Sequence, residues 1–253
     1  MALFLIGIGL NDENDITLKG LELVRKADVV YLESYTSLLH VPLSSLEKLY
    51  GKKVILADRD FVEKKGDAVV AEAKKKDVAF LVIGDVFGAT THTDLYLRAL
   101  NAGVLVGVVH NASILTAIGK IGLELYKFGK TTSIPYSDGR YIDTPYLALK
   151  DNLSLGMHTL LLLDIQADKQ RFMSVNEALT YLLETERRKK EGVFSGKTLC
   201  IGIARIGSST EIILSGTAGE LLERDFGKPP HALIIPGKLH FMEEEMLQRR
   251  RVF

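Results

Sequence analysis

The sequence predicts an α/β protein made of two α/β domains with a cleft between them. Three observations carry this reading. In the first half, short apolar runs alternate with amphipathic stretches of helical period, the mark of a parallel sheet with helical crossovers. In the second half, apolar runs follow one another with fewer helices between them, which implies a mixed sheet. The chain has 253 residues, 47% hydrophobic and 25% charged, enough for one large domain or two small ones with a sizeable core.

The elements follow in order. The run 3–8 reads as a strand, closed by Gly7-Ile8-Gly9 and an acidic loop. Thr17 is an N-cap for a helix over 18–26, and a strand follows over 29–33. A short strand is expected at 54–56 and a helix with an exposed lysine face at 67–76. A strand over 78–83, a helix over 93–102 and a strand over 104–109 complete the first domain, residues 1–112. The second domain, 113–253, opens on a helix over 113–126 and a strand over 159–165. A charged helix over 176–190 follows, capped by Ser174 or Asn176. Strands are expected at 199–203, 211–215 and 232–235, with a helix at 218–225.

Composition removes several function classes. Lys+Arg and Asp+Glu are equal at 32 each, so no global field attracts nucleic acid or an anionic membrane. The single Cys200 leaves no internal disulfide and no cysteine pair for zinc. The first apolar run lacks a basic leading segment and reads as a strand, not a signal peptide. No apolar run approaches the ~20 residues that span a bilayer. The reading is a cytoplasmic protein with no membrane and no direct nucleic-acid partner. The six histidines (His40, His92, His110, His158, His231 and His240) have no metal-ligand spacing, so no metal is expected.

Gly7-Ile8-Gly9 after the first strand, and Glu33 ending the second, imitate a dinucleotide fingerprint. Position 12 is Asp where the third glycine belongs, and Asp12, Glu13 and Asp15 would repel a pyrophosphate. The stretch "VAFLVIGDVFGATTHTDL", residues 78–95, is more informative: an apolar strand ends on Gly84-Asp85 and then on small and hydroxylic residues. In open α/β sheets ligands bind beyond the carboxyl ends of the strands. Gly9-Leu10, Gly84-Asp85 and His110-Asn111-Ala112-Ser113 all lie there, with no lysine or arginine to clamp a phosphate. A carboxylate, glycine backbone, hydroxyls and apolar contacts suit a ligand that is cationic and carries hydroxyls and a flat ring, such as S-adenosylmethionine. As a turn-former or helix cap, Asp85 would equally serve the fold alone.

The residues also resemble a known family. "GIGLNDENDITLKGLELVRKADVVYLESYTS", "GDVFGATTH", "HNASILTAIGKIGLELYKFGKTTSIPY", "RFMSVNEAL", "IARIGS" and "PPHALIIPGKLHFMEEEML" are similar to the diphthine synthases, and the likeness runs along nearly the whole chain in order. The "YTS", "ATTH", "NASI" and "PGKLH" blocks narrow it from the wider tetrapyrrole methylase-like fold. The resemblance implies a class III methyltransferase of two α/β domains, a homodimer, with S-adenosylmethionine in the cleft and S-adenosylhomocysteine as product. It implies a substrate too: 2-(3-amino-3-carboxypropyl)histidine on translation elongation factor 2, whose amino group is methylated repeatedly in diphthamide biosynthesis. Many members carry proline where Val86 follows Asp85 here. Carried over by motif, the cofactor contacts are Leu10, Asp85, Gly88, Ser113, Ile114, Leu163, Ala204 and His231, the last three framing the adenosine.

Other features carry less. His92 is a base or geometric aid, or equally a cap or buried hydrogen-bonder. "ERRKKEG" (186–192) and "QRRR" (248–251) are docking candidates for a protein substrate, although such runs are usually solvated faces. Methyl transfer from a sulfonium needs a neutral amine aligned in line, so no catalytic residue is assigned. The competing readings are a tetrapyrrole or ribosomal RNA methyltransferase of the same fold, and a non-catalytic cofactor-binding scaffold.

Overall fold

A computed structural model describes residues 1–35, 37–136 and 138–251. Thr36, in the "YTS" block, lies outside the described residues. The chain divides into two compact units, Met1–Ala117 and Ile118–Phe253.

Unit 1 contains β1 (Ala2–Gly7), α1 (Leu18–Lys26), β2 (Val29–Glu33), α2 (Leu43–Tyr50), β3 (Ile55–Ala57), α3 (Arg59–Ala73), β4 (Val78–Val82), α4 (Thr93–Asn101), β5 (Leu105–Val109) and α5 (Ile114–Ala117). Its strands form one five-stranded sheet in the order β3-β2-β4-β1-β5, with every pairing parallel. The continuous apolar strands sort by residue parity, as the pleat demands. Leu3, Leu5, Val78, Phe80 and Val82 pack with Val69, Val70, Leu95 and Ala99 of α3 and α4. Ile6, Ile8, Ala79, Leu81 and Ile83 pack with Val24, Leu46 and Tyr50 of α1 and α2. A sheet covered on both faces has no room for alternating polar residues, which is why β4 reads as an unbroken apolar run.

Unit 2 contains β6 (Thr132–Ile134), α6 (Thr144–Ser154), β7 (Thr159–Leu163), β8 (Ile165–Gln166), β9 (Arg171–Phe172), α7 (Val175–Lys189), β10 (Leu199–Ala204), β11 (Ile212–Thr217), α8 (Ala218–Leu222), β12 (His231–Ile235) and α9 (Phe241–Gln248). Its main sheet runs β11-β10-β12-β7-β6, antiparallel except for the parallel β6–β7 pair, so it is mixed as expected. Leu161, Leu163, Cys200, Ala204, Leu233 and Ile235 pack against Val175, Ala178, Leu179 and Leu182 of α7. Ser174 starts α7 with a reciprocal capping box to Glu177. The alternative cap, Asn176, instead donates to the carbonyls of Leu221, Leu222 and Arg224 at the end of α8.

Several expectations change. The helix expected over 113–126 is only α5, followed by single-turn 3₁₀ segments at Ile118–Ile121 and Leu125–Lys127. Gly122 breaks it with φ 98°, and a Cβ there would lie 2.6 Å from Met246 Cβ. The helix expected at 67–76 starts earlier, at Arg59, because the Asp58 carboxylate accepts from Phe61 N at 2.7 Å. The run 159–165 divides into β7 and β8 at Asp164, whose carboxylate takes Tyr136 N and whose carbonyl takes Met173 N. α2, β6, α6, β9 and α9 are elements the periodicity did not mark; most are short, or polar like "FMEEEMLQ".

A buried ionic network fastens α9. Glu243 accepts from Glu124 N (2.9 Å), His240 N (2.8 Å), Lys127 Nζ (2.5 Å) and His158 Nε2 (2.9 Å). His158 Nδ1 accepts from Gly237 N at 3.0 Å, so its proton sits on Nε2. Burial raises the Glu243 carboxyl, but these bonds outweigh it and hold the group at about 2. Glu243→Ala leaves these donors without an acceptor and should cost about 3–5 kcal/mol in urea unfolding. Because the folded pKa is depressed, this stability is present above the usual carboxylate range and is lost as pH falls towards about 2. A loss under about 1 kcal/mol would mean that the network holds nothing.

Candidate functional site

β4, β1 and β5 lie side by side and parallel, so their carboxyl ends open at one edge of the unit 1 sheet. The turns there are tied together. Gly9 and Gly84 exchange backbone bonds of 3.2 and 2.7 Å, joining the ends of β1 and β4. Asn111, just beyond β5, donates its amide to Gly7 O (3.0 Å) and Asp15 O (2.9 Å). Asp85 joins β4 to β5: Oδ1 accepts from Phe87 N at 3.0 Å, and Oδ2 from Asn111 N at 3.0 Å and the His110 ring at 2.9 Å. Burial raises the Asp85 carboxyl, but the bonds from Phe87, Asn111 and His110 prevail and lower it.

This modifies several sequence expectations. Asp85 accepts these bonds from its own neighbours, as a turn-former does. Gly88 is needed for a close approach, but to Ser113: a Cβ would lie 2.6 Å from Ser113 Oγ. Ser113 is buried, and its Oγ accepts from Leu115 N at 3.2 Å while its N–H donates to Thr116 Oγ1 at 3.2 Å. The helix it starts has four residues. Ile114 and Leu10 are half-buried at the same edge. Leu10 N donates to Asp15 Oδ2 at 3.1 Å, and Asn11 N to the same oxygen at 2.8 Å. The carboxylate of Asp15 therefore serves its own loop. The dinucleotide imitation also ends here. Glu33 is buried and accepts from Tyr35 N (3.2 Å) and Ile83 N (3.4 Å), so backbone occupies the carboxylate a ribose would need.

In unit 2, Leu163, Ala204 and His231 are brought into one row. Ala204 pairs with His231 across β10 and β12, and Ala232 with Leu162 across β12 and β7. Leu163 therefore falls opposite His231, and the three share one face at one end of the sheet. Leu163 and Ala204 belong to the core cluster beneath α7, the packing role that their residue types alone would give them. His231 is half-buried; its Nδ1 takes Val175 N at 3.4 Å and its Nε2 faces Lys228 O at 3.1 Å. Burial chiefly holds this imidazole below its ordinary range. Asn111 lies in the strand-end segment 110–113 that the sequence marked, whereas Arg205 was missed as a site-builder; its signal was its place directly beyond β10.

His92 starts α4 without a cap bond and is fully buried beside Tyr35 and Phe80. Neither ring nitrogen meets a partner in hydrogen-bond geometry. Burial pushes it down to about 4, with a small opposing pull from the Val86 backbone. Among the described residues no group of three or more His, Cys, Asp or Glu could hold a metal. No described helix is long and apolar enough to cross a membrane.

The two units thus carry a five-stranded parallel sheet and a five-stranded mixed sheet. The chain belongs to the Tetrapyrrole (Corrin/Porphyrin) Methylases, whose family model it matches over residues 2–222. Within that family its relatives are diphthine synthases and diphthine methyl ester synthases. A probable diphthine methyl ester synthase of Arabidopsis thaliana is 49% identical, over 97% of each chain. The diphthine synthase of Methanococcus maripaludis (strain C5 / ATCC BAA-1333) is 47% identical, again over 97% of each. A crystal structure described as a putative diphthine synthase from Entamoeba histolytica matches with a TM-score of 0.93 at 41% identity, covering 100% of this chain and 99% of that one. The chain is thus a methyltransferase.

His92→Phe should leave stability at pH 7 unchanged or raise it by about 1 kcal/mol, because an unpaired buried imidazole is replaced by an apolar ring of similar shape. Unfolded histidine takes up its proton near 6.5 but the folded one only near 4, so the unaltered protein loses stability as pH falls through that window. Thermal unfolding from pH 7 to 4 should show that component missing in the variant. A variant as acid-sensitive as the parent would assign the loss to another group.

Proposed function

We propose that this protein is an S-adenosylmethionine-dependent methyltransferase acting on the amino group of 2-(3-amino-3-carboxypropyl)histidine on translation elongation factor 2, to give diphthine. The observation that carries this reading is the end-to-end likeness to diphthine synthases at nearly half identity. In this reading the cofactor is contacted by Leu10, Asp85, Gly88, Ser113 and Ile114 in unit 1, and by Leu163, Ala204 and His231 in unit 2. The donor chemistry of unit 1 fits a cationic ligand: a lowered Asp85 carboxylate at the strand ends, with His110 already bonded to it. A cytoplasmic homodimer is part of the same reading.

Bound S-adenosylmethionine supplies a methyl group on a sulfonium. The chain's own residues then have to hold the substrate amine neutral and in line with the carbon–sulfur bond, and keep water away. Such alignment is worth effective molarities on the order of 10⁵ M or more. As the nitrogen–carbon bond forms, the carbon–sulfur bond breaks and the amine proton passes to solvent. Rigid turns suit that task. The Asp85 and Asn111 bonds would fix strand ends whose backbone touches the ligand.

Several residues of the two basic runs are already engaged within the chain. Arg188 and Lys189 both pair with Asp143, and Arg188 lies over the Tyr141 ring. Arg249 pairs with Glu245, Arg250 donates to Lys120 O, and the Arg251 backbone bridges to Ser215 beside β11.

A second reading concerns how many methyls are added. A primary amine becomes quaternary after three, yet the Arabidopsis thaliana and Dictyostelium discoideum relatives are named for a methyl ester, which places a further methyl on a carboxylate oxygen. Mass spectrometry of elongation factor 2 carrying the aminocarboxypropyl group should show successive methyl-sized gains on the histidine peptide, and none on unmodified factor. Three gains fit diphthine; a fourth, removed by mild alkali, fits the ester. No gain, with methylation of a tetrapyrrole or RNA instead, overturns the assignment. For the cofactor, calorimetry should give micromolar binding, about −8 kcal/mol. Asp85→Ala should weaken it by about tenfold or more by freeing the turns it ties, since bonds to a charged group carry about 1.5–3 kcal/mol. Unchanged affinity would take Asp85 out of the site.

A further inference from the structure

Unit 2 buries a cation at the end of its sheet. Arg205 follows Ala204 directly beyond β10, is buried, and holds the left-handed backbone conformation, with φ 49°. That conformation is unfavourable for a long side chain and persists only where the surroundings enforce it. The described partners of its guanidinium are uncharged oxygens. Nε donates to Thr210 O and Oγ1 at 3.1 Å, Nη2 to Thr210 O at 2.8 Å, and Nη1 to Phe226 O at 2.9 Å and to Lys228 O. Its own N–H donates to Pro230 O at 2.9 Å. One planar group thus ties the 205–210 turn to the 226–230 segment that leads into β12.

The Lys228 carbonyl is the junction. It receives Arg205 Nη1 and faces His231 Nε2 at 3.1 Å, while His231 Nδ1 faces Val175 N at 3.4 Å. The Val175 amide can only donate and the Lys228 carbonyl can only accept. Both are satisfied by one neutral tautomer, with the proton on Nε2. The nearby guanidinium charge adds to burial in keeping the ring neutral.

We propose that Arg205 is a positioning residue: through the Lys228 carbonyl it fixes the tautomer and orientation of His231, and so the Leu163–His231–Ala204 row, for the adenosine end of the cofactor. The proposal rests on the reading of His231 as a cofactor contact. Arg205 itself touches no ligand in this scheme. Lysine would keep the charge but could not span Thr210, Phe226 and Lys228 together, because an ammonium lacks the planar fork.

The test uses the full chain with Arg205→Lys, Arg205→Gln, His231→Gln and the Arg205→Gln/His231→Gln pair, each measured well below its own unfolding midpoint. The His231 ring nitrogens are read by NMR and S-adenosylmethionine affinity by calorimetry. The unaltered protein should show the single Nε2–H tautomer, and both Arg205 variants a mixture. The dissociation constant should rise about tenfold or more in either Arg205 variant, the scale of one charge-assisted hydrogen bond. The double variant should bind no worse than His231→Gln alone, because the first change acts through the second residue. Arg205→Lys, the milder change, carries the test if Arg205→Gln does not fold. Lower unfolding midpoints with unchanged affinity and an unchanged tautomer would make Arg205 a structural residue only. Fully additive losses would likewise overturn the proposal. If the unaltered protein binds no S-adenosylmethionine, the function proposed above fails and the cofactor part of this inference with it. The ring-nitrogen signals then still decide whether Arg205 sets His231.

Discussion

Parallel strands end in backbone groups that no neighbouring strand satisfies, and in unit 1 two side chains meet that need for β1, β4 and β5 together. The Asn111 amide holds the carbonyls of Gly7 and Asp15, while the Asp85 carboxylate holds the amides of Phe87 and Asn111. Much else at that edge depends on this stitch. It brings the turns close enough that a Cβ at Gly7 would lie 2.7 Å from Gly84 O, and one at Gly88 2.6 Å from Ser113 Oγ. The small residues after β1 and β4 are therefore first a packing requirement.

The same economy governs charge. Glu33, Asp15, Asp85 and Glu243 could each be taken for a ligand group, yet each accepts hydrogen bonds from its own chain. Burying a carboxylate is tolerable only when its lone pairs are filled, and backbone amides left over at turns and helix starts fill them here. Arg205 shows the converse, a guanidinium that satisfies leftover carbonyls. These five charged residues hold backbone groups of turns and helix starts.

For a methyl-transfer enzyme this arrangement is apt. Alignment of two reactants tolerates little looseness, and turns tied by hydrogen bonds limit it. Thr90, which donates to Val86 O, and Tyr35, which meets Thr91 across the turn, extend the same tying to the loop beyond β4. His92, buried beneath it with both ring nitrogens unpaired, is the exception in an otherwise satisfied region.

The sequence by itself determined what depends on neighbours along the chain. Apolar runs and helical periods gave β1, α1, β2, β4, α4 and α7, because burial of alternating or helical faces is written in local spacing. Motif likeness marked the candidate contacts from Leu10 to His231: Leu163 and Ala204 end β7 and β10, His231 opens β12, and the others lie in the segments that follow β1, β4 and β5. Only the tertiary structure decided how those residues are used. That Asp85 bonds Asn111, that Gly88 makes way for Ser113, and that Lys228 joins Arg205 to His231 are contacts between segments far apart in sequence or in loops without period. The break at Gly122 against Met246, and the seating of α9 on Glu243 and His158, are of the same kind. Each depends on a partner that the folded chain alone brings within reach, and local pattern carries no record of it.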